Sequence, residues 1–228
     1  MNIFVPIVYM LVSYLIGSLP MSIIVGKITK GIDVRDYGSG NPGTTNAIRV
    51  LGRPLGMVVF FLDVLKGGIV ILIIRIGLLD SWIDFTVFHP FIFALFVVLG
   101  HIYPVFLKFK GGKAVATGVG VFLFYAPVLG VIGLLTYLLG LKLTRYVSVG
   151  SCSGASVVFI STVLVYFFGP KEGTTLEWLF SRRGDIWIPI IGALVVGLIL
   201  YRHRGNFKRI IDGTEPKSNF MQPKHKHI

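Results

Sequence analysis

The densest set of groups that could do chemistry lies in Gly38-Ser39-Gly40-Asn41-Pro42-Gly43-Thr44-Thr45-Asn46, followed by Arg49. Three glycines in six residues allow a tight turn that turns backbone N–H groups into one concavity. Ser39, Asn41, Thr44, Thr45 and Asn46 add short polar side chains, and Arg49 adds a planar cation. Amides, hydroxyls and a fixed positive charge together suit a phosphate. The stretch lacks the Gly-Lys-Ser/Thr ending of a nucleotide-binding loop, so it does not by itself point to ATP or GTP. The plain alternative is a glycine-rich linker, and the rest of the chain decides between them.

The elements that must position this turn are membrane helices. The 228-residue chain is 54% hydrophobic and only 14% charged, with a mean hydropathy of +0.81. A soluble domain is nearer a quarter charged. The formal net charge of +12 would suggest nucleic acid in a soluble protein. Here the basic residues fall between apolar runs, which fits loops at an anionic membrane surface and an anionic substrate, and argues against nucleic acid. The single cysteine, Cys152, excludes an internal disulfide and a multi-cysteine metal site. No metal site or cofactor is expected, and oligomeric state is not legible.

Residues 3–24 form a first span in which Gly17, Ser18 and Pro20 predict close packing or a kink. A basic polar segment follows up to Pro54, and residues 55–79 form a second span carrying Asp63, Lys66 and Arg75. Asp80 and Asp84 mark an acidic loop. Residues 85–107 make a third span that ends in the basic turn Lys108 to Lys113. The run 114–141 is either one long helix or two short ones broken near Pro127. Residues 147–168 and 186–201 span again, and the tail from Arg202 is strongly basic. Two short crossings meeting at Pro127 put every basic cluster on one side, with Asp80 and Asp84 on the other; one crossing would not. Each short segment rises only ~20 Å, so it must thin the bilayer or pack inside the bundle. The expectation is an all-α bundle of seven transmembrane helices, N-terminus outside and C-terminus cytoplasmic. Residues 1–220 form a single domain, and 221–228 a disordered tail.

Several polar groups stand where lipid would penalise them. Asp63 and Lys66, one helical turn apart, are either a functional pair or a mutual brace. Arg75 is expected to snorkel to the interface. His101 precedes Tyr103-Pro104. Gly111-Gly112-Lys113 opens the next helix with bare amides and an ammonium. Ser148 and Ser151 start the following span, and His203-Arg204-Gly205-Asn206 closes the last. Ser39, Arg49, Lys113, Ser151, His203 and Asn206, distant in sequence, thereby meet at one membrane face. Cations and hydroxyls outweigh carboxylates there, as one or two substrate phosphates require.

These residues resemble the bacterial acyl-phosphate:glycerol-3-phosphate acyltransferases, the PlsY family. The shared pieces run in order along nearly the whole chain: Gly17-Ser18, Asp33-x-Arg35, the Gly38–Arg49 turn and Asp63-x-x-Lys66-Gly67. Gly100-His101-x-Tyr103-Pro104, Phe109–Thr117, Tyr146-Val147-Ser148-x-x-Ser151, His203-Arg204-x-Asn206 and Gly213-x-Glu215 complete them. The resemblance implies transfer of an acyl group from acyl-phosphate to the 1-hydroxyl of glycerol 3-phosphate. Lysophosphatidic acid and phosphate are released, the first step of phospholipid synthesis, at the cytoplasmic side of the bacterial inner membrane. It further implies that Ser39, Arg49, Lys113, Ser151, His203 and Asn206 bind glycerol phosphate. Arg49, Lys113, Ser151 and His203 are the catalytic group. Gly38, Gly40, Asn41, Gly43, Thr45, Asn46, Gly111 and Gly112 would cradle the donor phosphate, and Asp63, Lys66 and Glu215 would be structural. Family spacing favours Ser151 over Ser148. Thr44 and Ala114 depart from the family's alanine and glycine; Thr44 adds a donor or crowds the cradle, and Ala114 asks that its backbone avoid positive φ. A transporter of phosphate esters is the alternative from another class, and a lipid-anchored scaffold a third.

Overall fold

The computed structural model describes residues 3–218, and these contain helices and loops with no strand. The expected tail, 221–228, lies outside the described residues. In chain order the helices are α1 (Phe4–Ser18), α2 (Met21–Lys30), α3 (Thr44–Leu51), α4 (Arg53–Arg75) and α5 (Pro90–Ile102). α6 (Val115–Tyr125), α7 (Pro127–Thr144), α8 (Val147–Phe168), the short α9 (Glu177–Phe180) and α10 (Trp187–Ile211) follow. Prolines set several boundaries, because a proline is tolerated in a first helical turn and steers the preceding residue out of helical geometry. Pro90 and Pro127 start α5 and α7, and Ala126 is drawn to φ −137° and ψ 80°, which ends α6.

Five helical segments are long and apolar enough to cross a membrane: Arg53–Arg75, Pro90–Leu107, Pro127–Thr144, Val147–Phe168 and Trp187–Ile211. α1 and α2 together make a sixth, bent by 44°. The expected continuous first span is therefore broken at Leu19-Pro20, where proline lacks a donor and clashes with the turn before it. The break at Pro127 is present, but its two sides are unequal. α7 has 18 residues, long enough to cross, whereas α6 has 11, a rise of about 16 Å. Ala114 at one end of α6 and Tyr125 at the other each line a cavity cut into opposite ends of the bundle. The short helix needs only to join those cavities.

Between lipid-soluble helices apolar burial gives little drive, so close contact depends on small residues. A Cβ on Gly17 would overlap the Val97 carbonyl and one on Gly100 the Tyr14 carbonyl, so α1 and α5 touch backbone to backbone. Gly67 against Thr117 and Gly120 against Val64 lock α4 to α6 in the same way. Gly150 and Gly154 do so for α7 and α8. The main core centres on Val70, Ile71, Phe91, Phe93, Val97 and Val98. A smaller core of Ile23, Val34, Ala47, Leu51 and Val59 supports the loop before α3. Arg75 lies 3.8 Å from the Trp178 ring centroid and donates to the carbonyls of Phe124, Tyr125 and Trp178, capping the end of α6.

Candidate active site

Asn46 organises the loop before α3. Its side-chain oxygen accepts the Ser39 N–H at 2.8 Å, and its amide donates to the Val34 and Tyr37 carbonyls at 2.7 and 3.1 Å. Gly38 sits at φ +63° with its α-carbon against that amide, a place where any Cβ would collide with Asn46 Oδ1. The loop is thereby fastened, and several of its amides are turned inward. Gly40 N–H donates to Tyr37 and Gly43 N–H to Asn41. Those two N–H groups and the Asn46 side chain are thus engaged within the loop. Further donors lie at Thr44, Thr45 and Asn46 in the first turn of α3, where no carbonyl precedes them in the helix. A helix N-terminus thus adds its donors beside the glycine turn.

The second turn shows the same economy. Gly111 N–H donates to the Ile102 carbonyl and Gly112 N–H to that of His101, both at 3.1 Å, folding the segment back onto the end of α5. Side chains at either position would strike His101 or its carbonyl. Among the described residues lining the cavity, Gly40, Gly111 and Gly112 are absent. The two glycines of the second turn are packing residues that deliver Lys113. Ala114 adopts φ +57°, contrary to the expectation that it avoids positive φ. Glycine would meet that conformation freely, whereas alanine bears a cost of roughly 1 kcal/mol there.

A cavity of about 890 Å³ lies where these turns meet the ends of α8 and α10. Gly38, Ser39, Asn41, Gly43, Thr45, Asn46 and Arg49 form one wall; Lys113, Ser148, Ser151, His203 and Asn206 face it. Lys113 Nζ donates to Asn206 Oδ1, and Asn206 donates to Glu215 Oε1 at 2.6 Å. Glu215 also accepts from Arg209 Nε at 2.7 Å, so it ties the segment after α10 to the basic wall. Burial pushes the Lys113 ammonium down to about 8, reinforced by Arg209 and Arg202 and opposed by Glu215. His203 Nδ1 is 2.8 Å from the Ile199 carbonyl. A carbonyl only accepts, so Nδ1 carries the hydrogen and Nε2 keeps a lone pair.

Asp63 reaches the same cavity from below. Its carboxylate is 2.8 Å from Lys66 Nζ and 3.7 Å from His101 Nδ1, which in turn lies 3.2 Å from Thr117 Oγ1. Lys66 also donates to the Leu19 carbonyl in the break between α1 and α2, at 3.0 Å. Asp63 Oδ1 is buried and makes no hydrogen bond of good geometry, so the Lys66 charge beside it is what offsets its burial. The remaining wall is apolar: Phe60 of α4, Val115, Ala116 and Val119 of α6, Leu134 and Tyr137 of α7, and Val147 of α8. One chamber thus offers cations and donors at one end and hydrocarbon at the other.

Sequence reasoning left one wall residue, Thr44, open and missed another, Arg202. Thr44 Oγ1 is buried in the cavity wall with no hydrogen-bond partner; its departure from the family pattern was the signal. Arg202 also lines the cavity and donates from Nη2 to the Gly111 carbonyl at 2.8 Å. Nothing in the string of residues separates it from the other tail cations. Ser148 and Ser151 are both buried on the wall, and Ser148 Oγ has no partner.

Residues 7–213 match the family described as glycerol-3-phosphate acyltransferase. A glycerol-3-phosphate acyltransferase of Bacillus cytotoxicus is 40% identical over 96% of this chain and 98% of its own. One from Bacillus subtilis is 42% identical over 92% and 96%. Among solved structures, PlsY (YgiH), an integral membrane glycerol 3-phosphate acyltransferase, superposes in its glycerol 3-phosphate form with a TM-score of 0.75. It is 34% identical, covering 93% of this chain and 94% of that one. Its lysophosphatidic acid form gives a TM-score of 0.74 at 33% identity, covering 92% and 94%. Agreement of this breadth, in sequence and in backbone, means that the chain belongs to the glycerol-3-phosphate acyltransferase family.

Proposed function

We propose that the protein transfers a fatty acyl group from acyl-phosphate to the 1-hydroxyl of glycerol 3-phosphate, releasing lysophosphatidic acid and inorganic phosphate. The observation that carries this is the cavity's division: Ser39, Arg49, Lys113, Ser151, His203 and Asn206 surround its polar end, and Phe60, Val119 and Leu134 its apolar end. Two anionic heads and one acyl chain fit that division. The hydroxyl oxygen attacks the acyl carbon, the bond from that carbon to the phosphate oxygen breaks, and phosphate departs with the electron pair. Phosphate is a good leaving group, so alignment and relief of repulsion between two anions supply most of the acceleration. Arg49 and Lys113 offset the charge, and the free amides of α3 hold the departing phosphate. The attacking hydroxyl gives its proton to a substrate phosphate oxygen, while His203 Nε2 accepts from the other glycerol hydroxyl and so orients the substrate.

The cavity end of the bundle faces the cytoplasm of the bacterial inner membrane in this proposal, with seven membrane segments and the N-terminus outside. Support comes from the charges: Lys27, Lys30, Arg49, Lys110, Lys142 and Arg202 belong to segments at that end. Asp80 and Asp84 line the cavity at the other. A transporter would need a polar route between the two cavities. Val70, Val97, Val98 and Val121 are buried in the core between them.

Purified protein given palmitoyl phosphate and glycerol 3-phosphate should release phosphate only when both are present, and palmitoyl-CoA should not replace the donor. Release without dependence on glycerol 3-phosphate refutes the proposal. For the proton, His203→Gln and His203→Asn should raise the KM for glycerol 3-phosphate. A large fall in kcat at unchanged KM would instead make His203 the base.

A further inference from the structure

Among the described residues, Arg202 has no counter-ion. Its Nη2 holds the Gly111 carbonyl, yet its Nε is buried without a hydrogen-bond partner. Other basic groups pair within the protein: Arg35 with Asp33, Lys66 with Asp63, Arg182 with Glu172 and Arg209 with Glu215. Among the described residues, no carboxylate approaches the Arg202 guanidinium closely enough to form an ion pair. A buried charged donor left without an acceptor is strongly unfavourable. Its neighbours deepen the deficit, since Lys113 and Arg202 raise the same local potential. Arg202 lines the cavity, so a ligand bound there could supply an acceptor.

Charge counting points the same way. Each phosphate monoester brings roughly −1.5 to −2 at neutral pH, so two bring about −3 to −4. Arg49 and Lys113 supply two positive charges. Arg209 is neutralised by Glu215, and Arg204 is exposed and stacked 3.9 Å from the Tyr201 ring centroid. One more cation is needed, and Arg202 lines the wall with a buried donor that no protein group accepts. A guanidinium can serve two acceptors at once in a fixed plane, which lysine cannot.

We propose that Arg202 is a phosphate-binding residue of this cavity. Its Nε–H edge binds an oxygen of a substrate phosphate while Nη2 keeps hold of Gly111 and so fixes where Lys113 stands. The assignment rests on the acyltransferase reading, and its first test does not need turnover. Full-length wild type, Arg202→Gln and Arg202→Lys are titrated with inorganic phosphate, and the shift in melting midpoint is followed. Lys208→Gln, an exposed change on α10, is the control. Phosphate should protect wild type and the control, while protection of Arg202→Gln should need roughly ten to a hundred times more phosphate. Arg202→Lys should fall between them, and it carries the test should Arg202→Gln fail to fold.

KM values measured separately for glycerol 3-phosphate and palmitoyl phosphate then show which head is bound, as only that one should rise by a comparable factor. Protection by phosphate within about twofold of wild type in the Arg202 variants overturns the proposal. So does a lowered midpoint with unchanged protection, because the arginine would then only tie α10 to the Gly111 turn. A wild type that binds phosphate but does not turn over both substrates refutes the acyltransferase reading and leaves the binding result standing.

Discussion

Lys113 makes the proposed mechanism sensitive to pH in a way that an exposed lysine would not. An ammonium is present below its pKa, and burial brings that of Lys113 to about 8. At pH 7 roughly ten enzyme molecules in eleven carry the charge, and at pH 9 roughly one in eleven. Glycerol 3-phosphate has its second ionisation near pH ~6, so above pH 7 the substrate hardly changes. The apparent kcat/KM for glycerol 3-phosphate should therefore fall roughly tenfold between pH 7 and 9, with a midpoint near 8. At saturating substrate the midpoint should move higher, because a bound dianion restores the proton. Stability should not follow activity. The unfolded chain keeps this proton at pH values where the folded chain has released it, so between about 8 and 10 this group makes the fold more stable as pH rises.

The assay is initial phosphate release at low glycerol 3-phosphate, with spontaneous acyl-phosphate hydrolysis subtracted at each pH. Lys113→Arg should abolish the descending limb, since a guanidinium keeps its charge throughout. Lys113→Met should cost roughly a hundred- to thousandfold in kcat/KM at pH 7, from a Coulomb interaction of about 4 kcal/mol at close range. A limb that persists unchanged in Lys113→Arg assigns the ionisation elsewhere and refutes this account.

Asn46→Ala should destabilise the protein by about 3 kcal/mol, because three hydrogen bonds are lost. Asn46→Asp should be no better, since it places a carboxylate against two carbonyls; unfolding midpoints in detergent check both. Gly67→Ala should cost at least ~2 kcal/mol through collision with the Thr117 carbonyl, whereas Gly118→Ala, with open space around it, should be close to neutral. Asp63→Asn and Lys66→Met should each destabilise by about 3 to 5 kcal/mol, and the double variant by less than their sum. Additive losses would mean that the pair does not act as a unit.

Much of this was legible because lipid makes polar residues conspicuous. Asp63 and Lys66 a turn apart in an apolar run could hardly do other than pair, and they do. Pro127 announced its break, and the basic clusters announced which turns share an end. The lengths on either side of that break were not legible: both segments are apolar, and only the cavities at the two ends of α6 explain why it is shorter. The bend at Leu19-Pro20 was written in the proline, but its meeting with Lys66 depends on packing across three helices. The fate of each glycine amide was hidden as well. Sequence shows where the chain can turn tightly, and the carbonyl that each N–H finds depends on what the turn folds back upon. The same holds for Arg202, whose environment depends on Gly111 and Lys113, some ninety residues earlier.

The two glycine-rich turns therefore act through rigidity. Gly38 and Gly40, at φ +63° and +68°, and Gly111 and Gly112 under His101, let the backbone close on itself, and Ser39, Gly40, Gly43, Gly111 and Gly112 spend their N–H groups within the protein. What is left to face an anion is the first turn of α3 and a few side chains, each held from behind: Lys113 by Asn206, Asn206 by Glu215, His203 by Ile199. A loop with free amides would have to order itself around the substrate, and that entropy would be subtracted from binding. A loop whose amides are already bonded presents its helix end in one place before substrate arrives. For a reaction whose leaving group is already good, holding two repelling anions in register is the main demand. Rigid turns at the mouth of a chamber with an apolar floor meet it.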